Sequence, residues 1–331
     1  MTTVQGLAHV ELHVEDAHKY ATGLHDHLGF TLTAPAAVRP GTAQVIAHQG
    51  AVRHLITSAV DPEHPVADWV RRHGDGVAVL VLRSADPAAS VERAVAAGAV
   101  ELDEHTVLGA LGDLALRFTA ADDLLPDGEP AAEGPLFELD HLALCVPAGT
   151  LGPAVRFARE GLGLAEVYAE YIEVGDQAMD SAVVQSPDGS VTLTLLEPDV
   201  RRSPGQIDGF LEAHGGAGVQ HLAYGTRSIT AAVRELADRG VVFLTTPGAY
   251  YDRLAARLGP TAIPVEELRA HHVLVDRDHG GELFQIFTRS THPRRTLFLE
   301  LVERRGAGTF GSANIKALYE AVERERAGQE G

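Results

Sequence analysis

Cysteine is almost absent: Cys145 is the only one in 331 residues. No intrachain disulfide can form, which suits a reducing compartment. No apolar run approaches the roughly 18 residues that a membrane-spanning helix needs. The start, MTTVQGLAHVELHVED, carries neither the basic region nor the apolar stretch of a secretory leader. A cytoplasmic protein is therefore expected. Basic residues are also outnumbered, 27 Lys and Arg against 46 Asp and Glu, for a net charge of −19. Such a chain repels phosphate backbones and anionic lipid, so neither nucleic acid nor a membrane surface is an expected partner. What remains is a globular composition, 45% hydrophobic, long enough for two ordinary domains.

Histidine is abundant, with 17 residues, and position must decide which of them matter. An internal repeat supplies positions. HVELHV (9–14) alternates like a strand and is followed by a helix-compatible stretch and Leu28-Gly29-Phe30. HLALCV (141–146) opens the second half in the same way, and Leu162-Gly163-Leu164 closes the corresponding helix. Gly29 and Gly163 both suit a helix C-terminal cap feeding a new strand. Further on, Gly76 and Gly218, Val91 and Val233, and Gly98 and Gly240 are each 142 positions apart. In the second copy Ile229, Val233, Leu236 and Ala237 lie at helical spacing.

Each half thus reads as strand–helix–strands in the order β-α-β-β-β, repeated once. The expected class is α+β, two domains each with a curved mixed sheet. ADDLLPDGEPAAEGP (121–135) has linker composition. It separates an N-terminal domain, residues 1–125, from a C-terminal domain, residues 126–331. The chain then ends in a Gly-rich segment, an N-cap candidate at Ser312, and a helix with Ile315, Leu318, Tyr319 and Val322 on one face.

His141, His221 and Glu300 each sit inside a short apolar strand pattern. Burying such a group unpaired costs roughly 1–3 kcal/mol, so each needs a partner. Two His and one carboxylate also form the metal-binding facial triad, which leaves positions open for a bidentate substrate and O2. Comparing the copies, His9 matches His141 but Val79 matches His221, so a single metal belongs to the second half. A satisfied core histidine is the plainer reading of any one of these residues. His18, His25, His27, His271, His272 and His279 are competing candidates. His25 and His27 do not face together on a helix. Ser181, Thr194, Gln185, Gln220 and Gln285 lie near the same strands and suit either a small polar ligand or cross-strand hydrogen bonding.

GVQHLAY (218–224), GELFQIFT (281–288), FLELVERRG (298–306) and GTFGSANIKALYEA (308–321) resemble, in order and spacing, the 4-hydroxyphenylpyruvate dioxygenase family. The resemblance is strong over the second half and weak over the first. It implies the vicinal-oxygen-chelate fold, duplicated in one chain. It implies one Fe(II) held by His141, His221 and Glu300, with O2 as co-substrate and an aryl 2-oxo acid as the small-molecule partner. The implied pocket includes Ser181, Gln206, Gln220, Gln285 and Phe287. The terminal helix would be a lid, with Phe310, Asn314, Ile315 and Tyr319 facing the pocket.

Two branches of that family use the same substrate. One forms homogentisate by ring hydroxylation; the other hydroxylates the benzylic carbon to give 4-hydroxymandelate. The homogentisate branch reads P-L-N-E-P where this chain has Thr194-Leu195-Leu196-Glu197-Pro198, and G-N-F-K-A-L-F where it has Ala313 to Tyr319. Thr194, Leu196, Ile315 and Tyr319 resemble the benzylic branch. So do AMDSAVVQS (178–186), PGQIDGFL (204–211) and THPRRTLFLE (291–300). Benzylic hydroxylation is the expected reaction, and homogentisate formation the alternative. A metal-free binding protein on the same fold is the reading from another class, against which the intact triad argues. A divalent-metal isomerase or extradiol dioxygenase is opposed by the terminal GTFGSANIKALYEA segment. Self-association into a homo-oligomer is left open.

Overall fold

A computed structural model describes residues 4–121, 124–125, 132–309, 311, 314 and 316–317. The first half contains β1 (Gly6–His13), α1 (Ala17–Leu28), β2 (Thr31–Thr33), β3 (Thr42–Gln49), β4 (Val52–Ala59), α2 (Pro65–His73), β5 (Gly76–Arg83), α3 (Pro87–Ala96), β6 (Val100–Asp103), β7 (Thr106–Leu108) and β8 (Ala115–Thr119). The second begins with β9 (Glu138–Cys145), α4 (Leu151–Phe157), β10 (Ala165–Val174), β11 (Gln177–Gln185), β12 (Thr192–Pro198) and α5 (Gln206–His214). It continues with β13 (Gly218–Gly225), α6 (Ile229–Asp238), α7 (Gly248–Asp252), α8 (Leu254–Leu258), α9 (Val265–Ala270), β14 (Leu274–Arg277), β15 (Glu282–Phe287) and β16 (Phe298–Arg305).

The strands form two eight-stranded mixed sheets, in the orders β2-β3-β4-β1-β5-β8-β7-β6 and β10-β11-β12-β9-β13-β16-β15-β14. The second order is the first with eight added to each number, so the halves share one topology. Within each half the β-α-β-β-β unit itself occurs twice, once opened by β1 or β9 and once by β5 or β13. The sequence repeat at 142 positions aligned only the openings of the second units. Helix ends follow local chemistry: Asp16 accepts from the Lys19 N–H at 3.0 Å, and Gly29 closes α1 and Gly163 the π-helical turn Ala158–Leu162 that continues α4, at φ 76° and 77°, a region glycine enters without steric cost. In α6 the buried face is Ile229, Ala232, Val233 and Leu236. Ala237, expected on that face, is exposed.

The central strands β9 and β13 are buried on both faces. One face of β9, Leu142 and Leu144, joins the main core with residues of both halves. The other, Ala143 and Cys145, packs with Met179, Leu196, Phe210 and Phe287 in a separate apolar cluster. Polar bridges join the halves, among them His54 Nε2 with the Tyr224 hydroxyl at 2.8 Å and His73 Nδ1 to the His214 carbonyl at 2.8 Å. Among the described residues no helix is long and apolar enough to cross a membrane.

Candidate metal centre and its pocket

His141 on β9, His221 on β13 and Glu300 on β16 come together because those three strands are neighbours. The register pairs His141 with Ala223, and Ala223 with Glu300, which sets the two side chains on one face. His221 pairs with Ala143 on β9, two residues from His141. A regular strand repeats its face every second residue.

Both histidines follow a β-bulge. On β9, His141 pairs with Ala223 and Leu139 with Tyr224, so Asp140 is the extra residue; on β13, Val219 pairs with Leu144 and His221 with Ala143, so Gln220 is the extra residue. A bulge re-aims the neighbouring side chain. Here each bulged residue turns back on the imidazole that follows it. Asp140 Oδ1 lies 2.8 Å from His141 Nδ1, and Gln220 Oε1 lies 3.4 Å from His221 Nδ1. With Nδ1 donating, a neutral ring presents its lone pair at Nε2.

Those Nε2 atoms point at Glu300. Oε2 is 3.3 Å from His141 Nε2 and 3.2 Å from His221 Nε2, and the three ligand atoms lie within 4.8 Å of one another. Adjacent ligands on an ion with bonds of roughly 2.1 Å are about 3 Å apart, so the donor set fits a divalent cation of N/O preference. Glu300 Oε1 instead accepts 2.7 Å from Gln285 Nε2. Gln285 Oε1 accepts 2.8 Å from Asn314 Nδ2, and Asn314 Oδ1 accepts 3.1 Å from the Tyr250 hydroxyl.

Burial opposes charge throughout the cluster. At Glu300 the attraction of His141 and its hydrogen bonds outweigh burial and hold the carboxyl at about 2. At His141 burial is likewise overcome, by Glu300 and Asp140, which raise the imidazole to about 9. At His221 burial prevails and the pKa falls.

The first half is an internal control. By the same register, His9 pairs with Val81 and Val81 with Arg117, so the triad positions hold His9, Val79 and Arg117. A guanidinium cannot ligate a metal. The position of Ala143 is taken by Glu11, whose carboxylate is buried against Arg39, His13 and Thr57. The other histidine candidates do not assemble. His25 and His27 Nδ1 each donate 2.8 Å to a backbone carbonyl, of Phe30 and Arg239. Among the described residues the triad is the sole cluster with metal-ligand geometry.

Of the residues expected to line the pocket, Ser181, Thr194, Leu196, Gln206, Gln220, Gln285, Phe287 and Asn314 are all buried. Thr194 and Leu196 lie two apart on β12, and Ser181 pairs with Leu196 on β11. Thr194 Oγ1 is buried without a hydrogen-bond partner. Gln206 opens α5, whose start is fixed by Asp208 Oδ2 accepting 2.7 Å from the Gly205 N–H. Phe310, Ile315 and Tyr319 lie outside the described residues. Gln285 braces the carboxylate ligand, a contact the sequence reading did not include.

Sequence reasoning also passed over four residues. Phe298 stacks on His221 with centroids 4.9 Å apart; its signal was its place two before Glu300 on one strand. Asp140 stood next to a candidate ligand. Arg304 and Tyr250 gave no local signal. A surface cavity of about 740 Å³ between α4 and β10–β11, lined in part by Ser181, touches none of the triad.

These features define a two-domain vicinal-oxygen-chelate protein with a two-histidine, one-carboxylate metal centre in its second half. Residues 140–255 match the Glyoxalase/Bleomycin resistance protein/Dioxygenase superfamily. The chain is 29% identical to 4-hydroxyphenylpyruvate dioxygenase of Yarrowia lipolytica, over 99% of this chain and 93% of that one. It is 30% identical to probable 4-hydroxyphenylpyruvate dioxygenase 2 of Aspergillus fumigatus, over 97% of this chain and 94% of that one. A solved triple mutant of 4-hydroxymandelate synthase from Streptomyces coelicolor superposes with TM-score 0.89 at 43% identity, over 98% of this chain and all of that one. The chain belongs to the 4-hydroxyphenylpyruvate dioxygenase family, and is an iron-dependent dioxygenase.

Proposed function

We propose that the protein converts 4-hydroxyphenylpyruvate and O2 to 4-hydroxymandelate and CO2. The observation that carries the reaction class is the buried triad of His141, His221 and Glu300, facing an apolar wall interrupted by the unpartnered Thr194 hydroxyl. Higher identity to 4-hydroxymandelate synthase, 43% against 29–30% for the homogentisate-type relatives, favours benzylic hydroxylation. Residues 126–331 form the catalytic module in this reading, and residues 1–125 a module without a complete metal site.

A ferrous ion held by the triad supplies the one-electron chemistry that lets O2 react with a closed-shell organic acid, whose own 2-oxo group provides two electrons. The chain's residues do the rest by binding and orientation. Asp140 and Gln220 hold the imidazoles with Nε2 forward. Gln285 keeps Oε1 of Glu300 occupied, so that Oε2 alone is offered. Ser181, Thr194, Gln206, Gln220 and Asn314 offer hydrogen bonds to a polar substrate. Leu196, Phe287 and Phe298 supply apolar surface for an aromatic ring and keep water from it. Ring against benzylic attack is then decided by where that wall holds the ring, since a displacement near 1 Å changes rates on the order of 100-fold. No side chain is needed as a strong base.

Product analysis tests the proposal. Iron-loaded protein is given 4-hydroxyphenylpyruvate and O2, and the products are compared with standards by retention time and fragmentation, because the two candidates are isomers. Hydroxymandelate is expected. Homogentisate would keep the centre and overturn the branch; no O2-dependent product would overturn the whole reading.

A further inference from the structure

Asp140 is tied at both ends. One oxygen meets His141 Nδ1 at 2.8 Å, and the two together meet Arg304, with Nε to Oδ2 at 2.6 Å and Nη2 to Oδ1 at 2.8 Å. The remaining guanidinium nitrogen, Nη1, donates to the carbonyls of Ala307 at 3.3 Å and Thr309 at 2.7 Å. Asp278 Oδ2 holds the same stretch from its amide side, accepting from the Gly308 and Thr309 N–H groups at 2.7 and 2.8 Å. A fork of this kind fixes a carboxylate in plane as well as in place.

The internal duplication separates this arrangement from the demands of the fold. The first half has the same bulges, with Ala8 skipped between Leu7 and His9, and Ala78 skipped between Val79 and Val77. Ala8 therefore stands where Asp140 does. Ala121, four residues past Arg117, stands where Arg304 stands past Glu300. The sheet forms without the ion pair; the pair occurs in the half that carries the triad.

We propose that Asp140 and Arg304 act as one positioning unit for the metal centre: Asp140 fixes the His141 ring, and Arg304 fixes Asp140 to the backbone at Ala307 and Thr309. The unit sets how well His141 binds metal and joins that ligand to the start of the C-terminal segment. Neither residue touches the metal or the substrate. The inference rests on the reading of His141 as a ligand.

Asp140→Asn tests it with little change of shape. An amide keeps one acceptor oxygen in place of two, so it cannot accept from His141 Nδ1 and from both Nε and Nη2 of Arg304 as the carboxylate does. Co(II) is titrated into the metal-free full chain and followed by visible absorption, alongside Arg304→Lys and the double variant, with melting temperature as a check on folding. Each single change should weaken Co(II) binding about 10–100-fold and alter the band pattern. The double variant should lose no more than the weaker single one, as members of one unit do. Wild-type affinity and spectrum in Asp140→Asn, or losses that multiply in the double variant, would overturn the unit. If wild-type protein takes up no Co(II) while folded, the ligand reading fails first and this inference with it.

Discussion

The side-chain amide of Gln285 donates a 2.7 Å hydrogen bond to Glu300 Oε1, so the oxygen facing the two imidazoles is Oε2 alone. A carboxylate held in this way would offer a metal one atom. Gln285→Leu should free Oε1 to compete for the positions that substrate and O2 need. We expect metal to be retained within about 10-fold and kcat to fall at least about 10-fold, the loss of one hydrogen bond to a charged group of roughly 1.5–3 kcal/mol. Unchanged kcat at full metal loading would contradict the role.

Thr194 Oγ1 is buried with no partner, which costs the folded protein. Thr194→Val keeps the shape and removes the hydroxyl. Melting temperature should stay level or rise, while KM for 4-hydroxyphenylpyruvate should rise about 2–10-fold if the hydroxyl meets the substrate. Steady-state kinetics beside thermal melting checks both halves; an unchanged KM would exclude Thr194 from the pocket contacts.

Ile315 lies outside the described residues, and its role rests on the sequence resemblance. Ile315→Phe should raise homogentisate relative to hydroxymandelate. Chromatography of the product mixture measures the ratio, and an unaltered ratio would sink the steric account of the branch.

In the first half, burial alone would raise the Glu11 carboxyl, but His13 and Arg39 outweigh it and hold it at about 2, against an ordinary 4.5. A carboxyl depressed on folding stabilises the protein fully above its unfolded pKa and loses that contribution as pH falls through the folded one. The contribution is on the order of 3 kcal/mol. Acid denaturation followed by circular dichroism should steepen between pH 4.5 and 2. Glu11→Gln should be less stable at neutral pH and flatter across that window.

Much of this architecture was legible in the chain because it has local causes. Gly29 and Gly163 mark helix ends, and His141, His221 and Glu300 are conspicuous as polar residues in apolar strands. The four-fold β-α-β-β-β pattern was read as two-fold because β6 and β7 are only four and three residues long and α7–α9 intervene before β14, and register is a pairing property no single strand carries. The bulges at Asp140 and Gln220 had no local mark, since an extra residue appears only against the partner strand. Arg304 reaches Asp140 across 164 positions, and Tyr250 reaches Asn314 across 64; such contacts belong to the folded chain.

We expect His141, His221 and Glu300 to hold one functional Fe(II). Iron per chain, measured after anaerobic loading and desalting, tests it most directly in wild type and in Glu300→Ala and His221→Ala variants shown to be folded by thermal melting. Wild type should carry one iron and the variants close to none, with O2 uptake lost in parallel. Stoichiometric iron and full O2 uptake in either variant, or no iron in folded wild type, would contradict it.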